Sequence, residues 1–380
     1  MEYKKLKDIS TLIGGYAFKS SEYINFGIRV IRIANVQDGY ISDEYPCFYP
    51  FDKESEIGAS MLKENDLLMS LTGNVGRVAL LSKELLPAGL NQRVECIRTE
   101  NELTKEYLYY YFRNNKFKQL AEKNASGIAQ LNMSVSWLGN HMIPIYDSKK
   151  TKDIINTFRC LDKLIETNTS LLKNYDELIK SRFIEMFHEK EFPICSIRNV
   201  VDTTKISAKK IYKSDDEIKY IDISSIDNKT NSIVGHVTYK FKDAPSRAQQ
   251  CLKTNDILVS TVRPNLRNVA LFDEVGNGFV GSSGFCVLRP LKCDPQYLRY
   301  IVLSDKFTEE MTQLTNGANY PAIRENSVFD YLFISPPLHL QNEFADFVKQ
   351  IDKSKFIVQK RIKTYKELLD KKMDEYFGKE

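Results

Sequence analysis

The chain has 380 residues, of which 42% are hydrophobic and 27% charged, a length and composition that predict two or three folded domains. No apolar run of about 18 residues is present, and the first residues lack the apolar stretch of a signal peptide, so we expect neither a membrane span nor secretion. Seven scattered cysteines indicate a reduced, cytoplasmic protein, and a net charge of +4 permits a nucleic-acid partner without requiring one.

The first half of the chain begins with segments typical of short strands, followed by one helix. Runs rich in β-branched and aromatic residues predict strands at 28–36, 66–73, 77–81 and 93–99. Apolar residues at helical spacing, with no Gly or Pro among them, predict one helix over 105–123. This part of the chain is therefore predicted to be α+β.

A long helix is predicted next, because the sequence from 151 to 188 contains neither Gly nor Pro. Its core positions alternate four and three residues apart, which is the spacing of a coiled-coil seam. At about 1.5 Å per residue, such a helix spans roughly 55 Å. The seam positions are Ile154, Phe158, Leu161, Ile165, Asn168, Leu172, Tyr175, Ile179, Arg182 and Met186.

The second half repeats the first at an offset of 190 residues. Strands are predicted at 218–226, 256–262, 268–272 and 285–290, and a second long helix at 339–377. The seam keeps its register as Phe344, Val348, Ile351, Lys355, Val358, Ile362, Tyr365, Leu369, Lys372 and Tyr376. The stretch "LKENDLLMSLTGNVGRVAL" (62–80) returns as "LKTNDILVSTVRPNLRNVAL" from Leu252. We interpret the retained Lys63, Asn65, Asp66 and Ser70 as parts of the folded frame.

Two long helices in one chain bury their seams most simply against each other, in an antiparallel pair with a pseudo-twofold axis. The predicted divisions are 1–147 and 191–337 for the globular parts, and 148–190 and 338–380 for the helices. Two similar globules related in this way resemble a DNA-binding dimer on two half-sites, made from one chain. A simpler interpretation makes the helices a structural spacer without a partner. We expect both to apply, because the seam holds the globules apart and the outer helix faces remain for other subunits. The polar seam residues Asn168, Arg182, Lys355 and Lys372 either fix the register or mark where pairing ends.

This order of elements resembles the specificity subunit of type I restriction-modification enzymes. The stretches similar to that family are 14–41, 67–80, 126–145 and 316–344. The resemblance implies two target-recognition domains, each reading one half of a split double-stranded DNA sequence. It also implies that the helices set the gap and dock two methyltransferase subunits, while motor-nuclease subunits join separately. S-adenosylmethionine, ATP and Mg would then belong to the partner subunits, and this chain would bind no cofactor or metal.

Candidate DNA contacts follow from chemistry, since base edges and phosphates are bound by Arg, Lys, Asn, Gln, Ser, Thr and exposed backbone. The candidates in the first half are Lys19, Ser20, Thr72, Gly73, Asn74, Arg77, Asn91, Gln92, Arg93, Gln130 and Asn132. Those in the second half are Thr261, Arg263, Asn265, Arg267, Ser282, Ser283, Asn319 and Tyr320. The same residue types also form ordinary turns. The replaced residues "LTGNVG" and "TVRPNL" lie where two readers of different sequences would need to differ.

Several catalytic signatures are missing from the sequence. No GxxxxGK[ST] loop is present, so ATP hydrolysis by this chain is not expected. The "SPPL" at 335–338 is one residue short of an amino-methyltransferase signature, because Leu338 replaces the aromatic residue that stacks on a flipped base. We interpret its prolines as the end of a strand and the start of a helix. The alternatives left open are a stand-alone DNA methyltransferase, another enzyme with an unrecognised site, and a scaffold that does not bind DNA.

Overall fold

The computed structural model describes residues 1–127, 130–187, 190–315 and 321–378. The chain divides into two units, the first formed by Met1–Leu171 with Val358–Glu380 and the second by Leu172–Ile357. Each unit therefore contains an α+β part and one end of each of two long helices. Across these described ranges, no helix is both long enough and apolar enough to cross a membrane.

The described residues of the first unit form small sheets. The strands are β1 (Glu2–Lys5), β2 (Thr11–Gly14), β3 (Ile28–Ile31), β4 (Phe48–Tyr49), β5 (Leu67–Ser70), β6 (Val78–Leu80), β7 (Ala88–Leu90), β8 (Val94–Arg98) and β9 (Met142–Ile145). β1 pairs with β9, the main sheet has the order β2-β8-β5-β6, and a third sheet has the order β4-β3-β7. β3 and β7 run parallel, whereas the other pairs are antiparallel.

The main sheet is buried on both faces, which explains why β5 is continuously apolar rather than alternating. Leu67 and Met69 pack into the core under the helices, whereas Leu68 packs into a second core on the other face. Each of these side chains is fully buried.

Six α-helices are described between Leu6 and Phe187, and the last of them continues into the second unit. They are α1 (Leu6–Ile9), α2 (Glu54–Ile57), α3 (Glu102–Arg113), α4 (Asn115–Asn124), α5 (Val135–Asn140) and the long α6 (Ser148–Phe187). The prediction of a single helix over 105–123 is wrong, because the helical structure is interrupted at the buried Asn114. Its backbone is extended (φ −64°, ψ 136°), and its side chain accepts a hydrogen bond from the N–H of Lys116 at 2.7 Å. The amide therefore ends one helix and caps the next.

The second unit repeats these pairings and adds one strand to the sheet with the parallel pair and a separate two-stranded sheet. Its strands are β10 (Ile194–Ser196), β11 (Val201–Asp202), β12 (Glu217–Ile221), β13 (Ile226–Asp227), β14 (Ser232–Ile233), β15 (Val237–Lys240), β16 (Ala248–Cys251), β17 (Ile257–Ser260), β18 (Val269–Leu271), β19 (Phe279–Ser282), β20 (Phe285–Pro290) and β21 (Leu332–Ile334). The sheet orders are β10-β21, β11-β20-β17-β18, β15-β12-β19-β16 and β13-β14. The parallel pair, β12 with β19, corresponds to β3 with β7.

Its helices are α7 (Ala208–Ile211), α8 (Pro295–Leu303), α9 (Asp305–Gln313), α10 (Glu325–Phe329) and the long α11 (Leu338–Phe377). The "SPPL" prolines lie between the end of β21 and the start of α11, as interpreted from the sequence. Gln341, which is only 2% exposed, donates a hydrogen bond to the carbonyl of Pro336 at 2.8 Å. The buried amide therefore holds the first turn of the helix against the proline pair.

The seam predicted for the long helices is confirmed, since every one of its positions is buried or half-buried. Within the first unit, Phe158 near the start of α6 shares a core with Leu369 near the end of α11. Within the second unit, Met186 near the end of α6 shares a core with Phe344 and Val348 near the start of α11. In both units the helices are therefore antiparallel.

Polar seam residues in the second unit link the two helices. Arg182 donates to Glu343 at 2.8 Å, and Lys355 donates to Asp176 at 2.7 Å. These pairs are partly exposed and therefore stabilise the fold by little, but each is made in one register only. This arrangement supports the interpretation that Arg182 and Lys355 fix the register. The side chains of Asn168 and Lys372 instead donate within their own helices, to the carbonyl of Leu164 and to Glu375.

Several predicted strands are shorter than the sequence indicated, including those predicted over 66–73 and 256–262, and two of them end where a side chain closes a turn. The strand predicted over 28–36 ends at Ile31, because the side chain of Asn35 accepts a hydrogen bond from the N–H of Arg32 at 3.0 Å and closes a turn. The strand predicted over 218–226 ends at Ile221, where Asp222 caps a short 3-10 turn. In both cases a side chain binds the backbone groups that a continuing strand would use.

Candidate nucleic-acid interface

The hairpin of β5 and β6 starts from a frame of buried polar residues. Asn65 has a left-handed φ of 61°, and Asp66 is 4% exposed. The Asp66 carboxylate accepts hydrogen bonds from the N–H of Lys63 at 2.8 Å and from Nε of Arg98 at 2.9 Å. The retained residues of this segment thus belong to the frame, as predicted.

The second unit builds the same frame before β17. Asn255 has a φ of 75°, and the fully buried Asp256 accepts from the N–H of Lys253 and from Nε of Arg289, both at 2.8 Å. Sequence reasoning missed the two arginines. The repeat itself was the available signal, because an arginine occurs in both copies, at the last residue of β8 and at the next-to-last residue of β20. Only the structure shows that each arginine pairs with the buried carboxylate.

The retained serine at the end of each first strand also holds the turn that follows. The Ser70 hydroxyl donates to the carbonyl of Asn74 and accepts from the N–H of Arg77 at 3.1 Å. The Ser260 hydroxyl donates to the carbonyl of Val262 at 2.8 Å and accepts from its N–H at 3.2 Å. The same hydroxyl therefore supports two differently shaped turns.

Three segments distant in sequence lie side by side where β5 ends, and we call them the first-unit edge: 71–74, 91–93 and 130–133. The N–H of Leu71 donates to the carbonyl of Arg93 at 3.1 Å, and the carbonyl of Leu71 accepts from the N–H of Met133 at 2.8 Å. The N–H of Gly73 donates to the carbonyl of Leu131 at 2.8 Å. The structure thus brings together three of the four loops that the sequence singled out in this half.

Side chains of the first-unit edge are mostly polar amides. Gly73 has a left-handed φ of 74°, and beside it the Thr72 hydroxyl donates to the Asn132 side chain at 3.1 Å. Asn91 is half-buried, and its N–H donates to the carbonyl of Ile31 at 3.1 Å. The exposed side chains are Asn74, Gln92, Arg93, Gln130 and Asn132.

The second unit has an equivalent set, which we call the second-unit edge: 261–263, 283–284 and 321–324. The N–H of Thr261 donates to the carbonyl of Gly284, and the N–H of Ile323 donates to the carbonyl of Thr261, both at 2.9 Å. The N–H of Arg263 donates to the carbonyl of Pro321 at 2.8 Å. The backbone pattern of the first-unit edge is therefore reproduced at an offset of 190 or 191 residues.

Two arginines, Arg247 beside the second-unit edge and Arg324 within it, were missed by sequence reasoning. The N–H of Ser283 donates to the carbonyl of Arg247 at 2.8 Å, which places Arg247 next to the edge, and Arg324 directly follows Ile323. Both side chains are exposed. No local signal marks Arg247, because its neighbour lies 36 residues away and is found only through the sheet pairing.

Two candidate hydroxyls are turned into the protein. Thr261 is 8% exposed and donates to the carbonyl of Gly284 at 2.9 Å, while the 3% exposed Ser282 accepts from the N–H of Gly284 at 3.2 Å. Their side chains therefore maintain the edge and do not face solvent, unlike that of Ser283. The candidates Asn319 and Tyr320 lie outside the described residues.

Arg77 and Arg267 are anchored within their own units. The Arg77 guanidinium donates to the side chain of Gln37 at 2.8 Å. Arg267, at a φ of 52°, donates to the Asp305 carboxylate at 2.6 Å. Both cations are half-buried, so each is a strand-end charge with a protein partner.

The remaining candidates lie on exposed turns. Asn265 is exposed on the 3-10 turn Pro264–Leu266, which follows Arg263. Lys19 and Ser20 are exposed at the start of another 3-10 turn, and Lys19 lies 3.4 Å from Glu22. The structure places Lys19 and Ser20 in no hydrogen-bonded contact with the first-unit edge among the described residues.

Glu95 and His141 are among the first-unit groups whose pKa is shifted by burial. Glu95, on β8 and 2% exposed, has its pKa raised by desolvation to about 7. His141, whose Nε2 lies 2.7 Å from the Tyr111 hydroxyl, has its pKa lowered by burial to about 4. In the parts of the chain that the structure describes, no group of His, Cys, Asp or Glu is placed to hold a metal ion.

The comparison with protein families identifies both halves of the chain. A family model described as a type I restriction modification DNA specificity domain matches residues 1–174 and, a second time, residues 190–366. Each match covers one α+β part and much of the long helix that follows it.

Individual relatives agree with the family match over part of their length. The type I restriction enzyme MjaVIII specificity subunit of Methanocaldococcus jannaschii is 29% identical over 170 residues, which cover 43% of this chain and 40% of the relative. The EcoAI specificity subunit of Escherichia coli is 28% identical over 176 residues, 45% of this chain and 29% of the relative. The matched regions thus span less than half of either relative. A type I restriction-modification S subunit from M. genitalium shares the fold over 98% of this chain and 94% of its own, with a TM-score of 0.57 at 13% identity.

Proposed function

Because the chain belongs to the type I restriction modification DNA specificity domain family, we propose that it is the DNA-recognition subunit of a type I restriction-modification enzyme. Each unit reads one half of a two-part sequence in double-stranded DNA through its edge. The chain's role is positional, because it brings a methyltransferase subunit to an adenine within that sequence.

The observation that carries this proposal is the repeated edge. The backbone hydrogen bonds of the edge are the same in both units, whereas its exposed side chains differ at nearly every position. In each unit the same backbone therefore presents a different set of outward side chains. Two readers of unlike half-sites need such a change, since sequence is read by side chains that reach base edges.

The partners in this proposal are double-stranded DNA, two methyltransferase subunits and motor-nuclease subunits, all in the cytoplasm. Apolar residues on the outward faces of the long helices support docking, because Ile184 is 54% and Ile357 is 52% exposed within the second unit. The chain itself is proposed to be non-catalytic, with S-adenosylmethionine, ATP and Mg bound by the partner subunits.

Mapping of methylated bases tests the proposal. The chain is produced with its modification subunit in a host without DNA methylation, and modified adenines are located by sequencing. We expect one two-part motif that disappears when the chain is omitted. Replacing residues 191–337 by the equivalent part of a relative should alter one half of that motif and leave the other half intact.

Two results would contradict the proposal in different ways. Methylation of DNA by the isolated chain with S-adenosylmethionine would make it an enzyme. Absence of any two-part motif, together with duplex binding that does not weaken as salt rises, would favour a scaffold, because phosphate contacts make affinity fall with salt concentration.

A further inference from the structure

We infer that the second unit reads a guanine-rich half-site and the first unit a half-site read mainly at adenines, an inference that rests on the proposed function. The two edges share a backbone but present different chemistry. One offers guanidinium groups and the other offers carboxamides.

The second-unit edge, together with the segment that pairs with it at Arg247, exposes three arginines. These arginines are Arg247, Arg263 and Arg324, and all three side chains are exposed. Neither Arg247 nor Arg324 has an acidic partner among the described residues, and the nearby Glu325 is paired with Lys205. The described segments 261–263, 283–284 and 321–324 contain no Asn or Gln. The amide at Asn265 lies on the turn beyond them.

The first-unit edge exposes Gln92, Gln130 and Asn132 with one cation, Arg93. The Asn132 side-chain oxygen accepts from Thr72, which holds this exposed amide at the surface. At the equivalent position of the second unit the chain has Ala322, so this amide is absent there. The contrast therefore arises at matched positions of the two edges.

The different side chains of the two edges predict different base preferences. In the major groove, Arg binds O6 and N7 of guanine with two hydrogen bonds, whereas Asn and Gln bind N6 and N7 of adenine. Adjacent segments paired like strands lie about 4.8 Å apart, so the steps from Arg247 to Arg324 cover about 14 Å. That is the rise of about four base pairs. Arginines that only bind phosphates would give affinity without base preference.

Selection from a pool of randomised duplexes tests the inference, using the full chain bound to its modification subunit. The variants are Arg247→Ala, Arg324→Ala and Gln92→Ala, with Lys292→Ala as the control. Lys292 is an exposed cation of the same unit beyond the opposite end of β20. Each arginine variant should lower the preference for G·C over other base pairs at one position of the motif by roughly 5- to 150-fold. Gln92→Ala should lower the preference for A·T at one position in the other half. Lys292→Ala should leave the selected motif unchanged.

Arg247→Lys separates base reading from phosphate binding, because Lys keeps the charge but loses the planar two-bond geometry. Retained binding to unselected DNA with lost guanine preference supports the inference. Equal weakening on all sequences in the arginine variants, or a motif whose guanines respond to Gln92→Ala instead, overturns it. A two-part motif without this base distribution refutes the inference alone, whereas the absence of any two-part motif refutes the proposed function as well.

Discussion

Replacing Asp66 by Ala should strongly destabilise the first unit, because it removes one member of a buried ion pair. The Asp66 carboxylate is 4% exposed and pairs with Arg98, whose side chain is 24% exposed. Breaking a buried pair by removing one partner costs about 3–5 kcal/mol, since the other charge stays desolvated without compensation. We expect about 3 kcal/mol, because Arg98 is partly solvated and keeps a hydrogen bond to the carbonyl of Met61 at 3.2 Å.

Urea unfolding monitored by tryptophan fluorescence measures this loss in the right place. Trp137 is the only tryptophan of the sequence, and it lies on α5 of the first unit against that unit's core. The free energy of unfolding follows from the midpoint and slope of the transition. Glu106→Ala is the matched control, because it removes the acidic partner of Arg159, whose side chain is 59% exposed. Surface pairs of this kind contribute about 0–1 kcal/mol.

The reasoning is refuted if Asp66→Ala lowers the free energy of unfolding by no more than the Glu106→Ala control. That result would mean that the Asp66–Arg98 pair is a surface-like contact and that something else holds the frame. An intact transition at a reduced midpoint, with an unchanged slope, is the expected outcome.

Three further predictions concern the first unit and are each checked by urea unfolding. Burial lowers the pKa of His141 from 6.5 to about 4. Between these values the unfolded chain binds a proton that the folded chain does not, so the free energy of unfolding decreases as the pH falls. His141→Asn should reduce this decrease between pH 7 and 5 by about 1–2 kcal/mol. Burial raises the pKa of Glu95 from 4.5 to about 7, so the stability that the protonated side chain contributes is lost as the pH rises through 7. The free energy of unfolding of Glu95→Gln should exceed that of the parent by about 1–2 kcal/mol at pH 8 and equal it at pH 4. A Cβ on Gly15 would lie 2.1 Å from backbone atoms of Asn91, so Gly15→Ala should cost about 1–3 kcal/mol, whereas Gly14→Ala, with open space around the new Cβ, should stay within about 0.5 kcal/mol.

The long helices could be predicted well because their signal is local and repeated. Heptad spacing over about 40 residues leaves one apolar stripe, and a stripe of that length has to be buried. The break at Asn114 could not be predicted in the same way. Its apolar neighbours continue the helical period, and only the buried amide, which caps the next helix, shows that the chain turns there.

Most of the loops of the candidate interface were named from the sequence, but their position side by side was not predicted. The segments 71–74, 91–93 and 130–133 come together through backbone hydrogen bonds between strands, which no spacing in the sequence encodes. Neighbouring residues of the same type also differ in exposure, since Ser282 is buried and Ser283 is exposed. Arg247 was missed for the same reason, because its place beside Ser283 depends on the pairing of β16 with β19.

Along β5 and β17, the residues that hold the fold are separate from those that face outward, which explains how one frame can carry two specificities. A buried carboxylate fixes the start of each strand, and backbone hydrogen bonds with a retained serine fix its end. The outward side chains of the edges make few contacts within the protein, so their replacement costs the fold little. The residues that distinguish the two half-sites are therefore those whose substitution alters stability least, and recognition can change while both units keep the same fold.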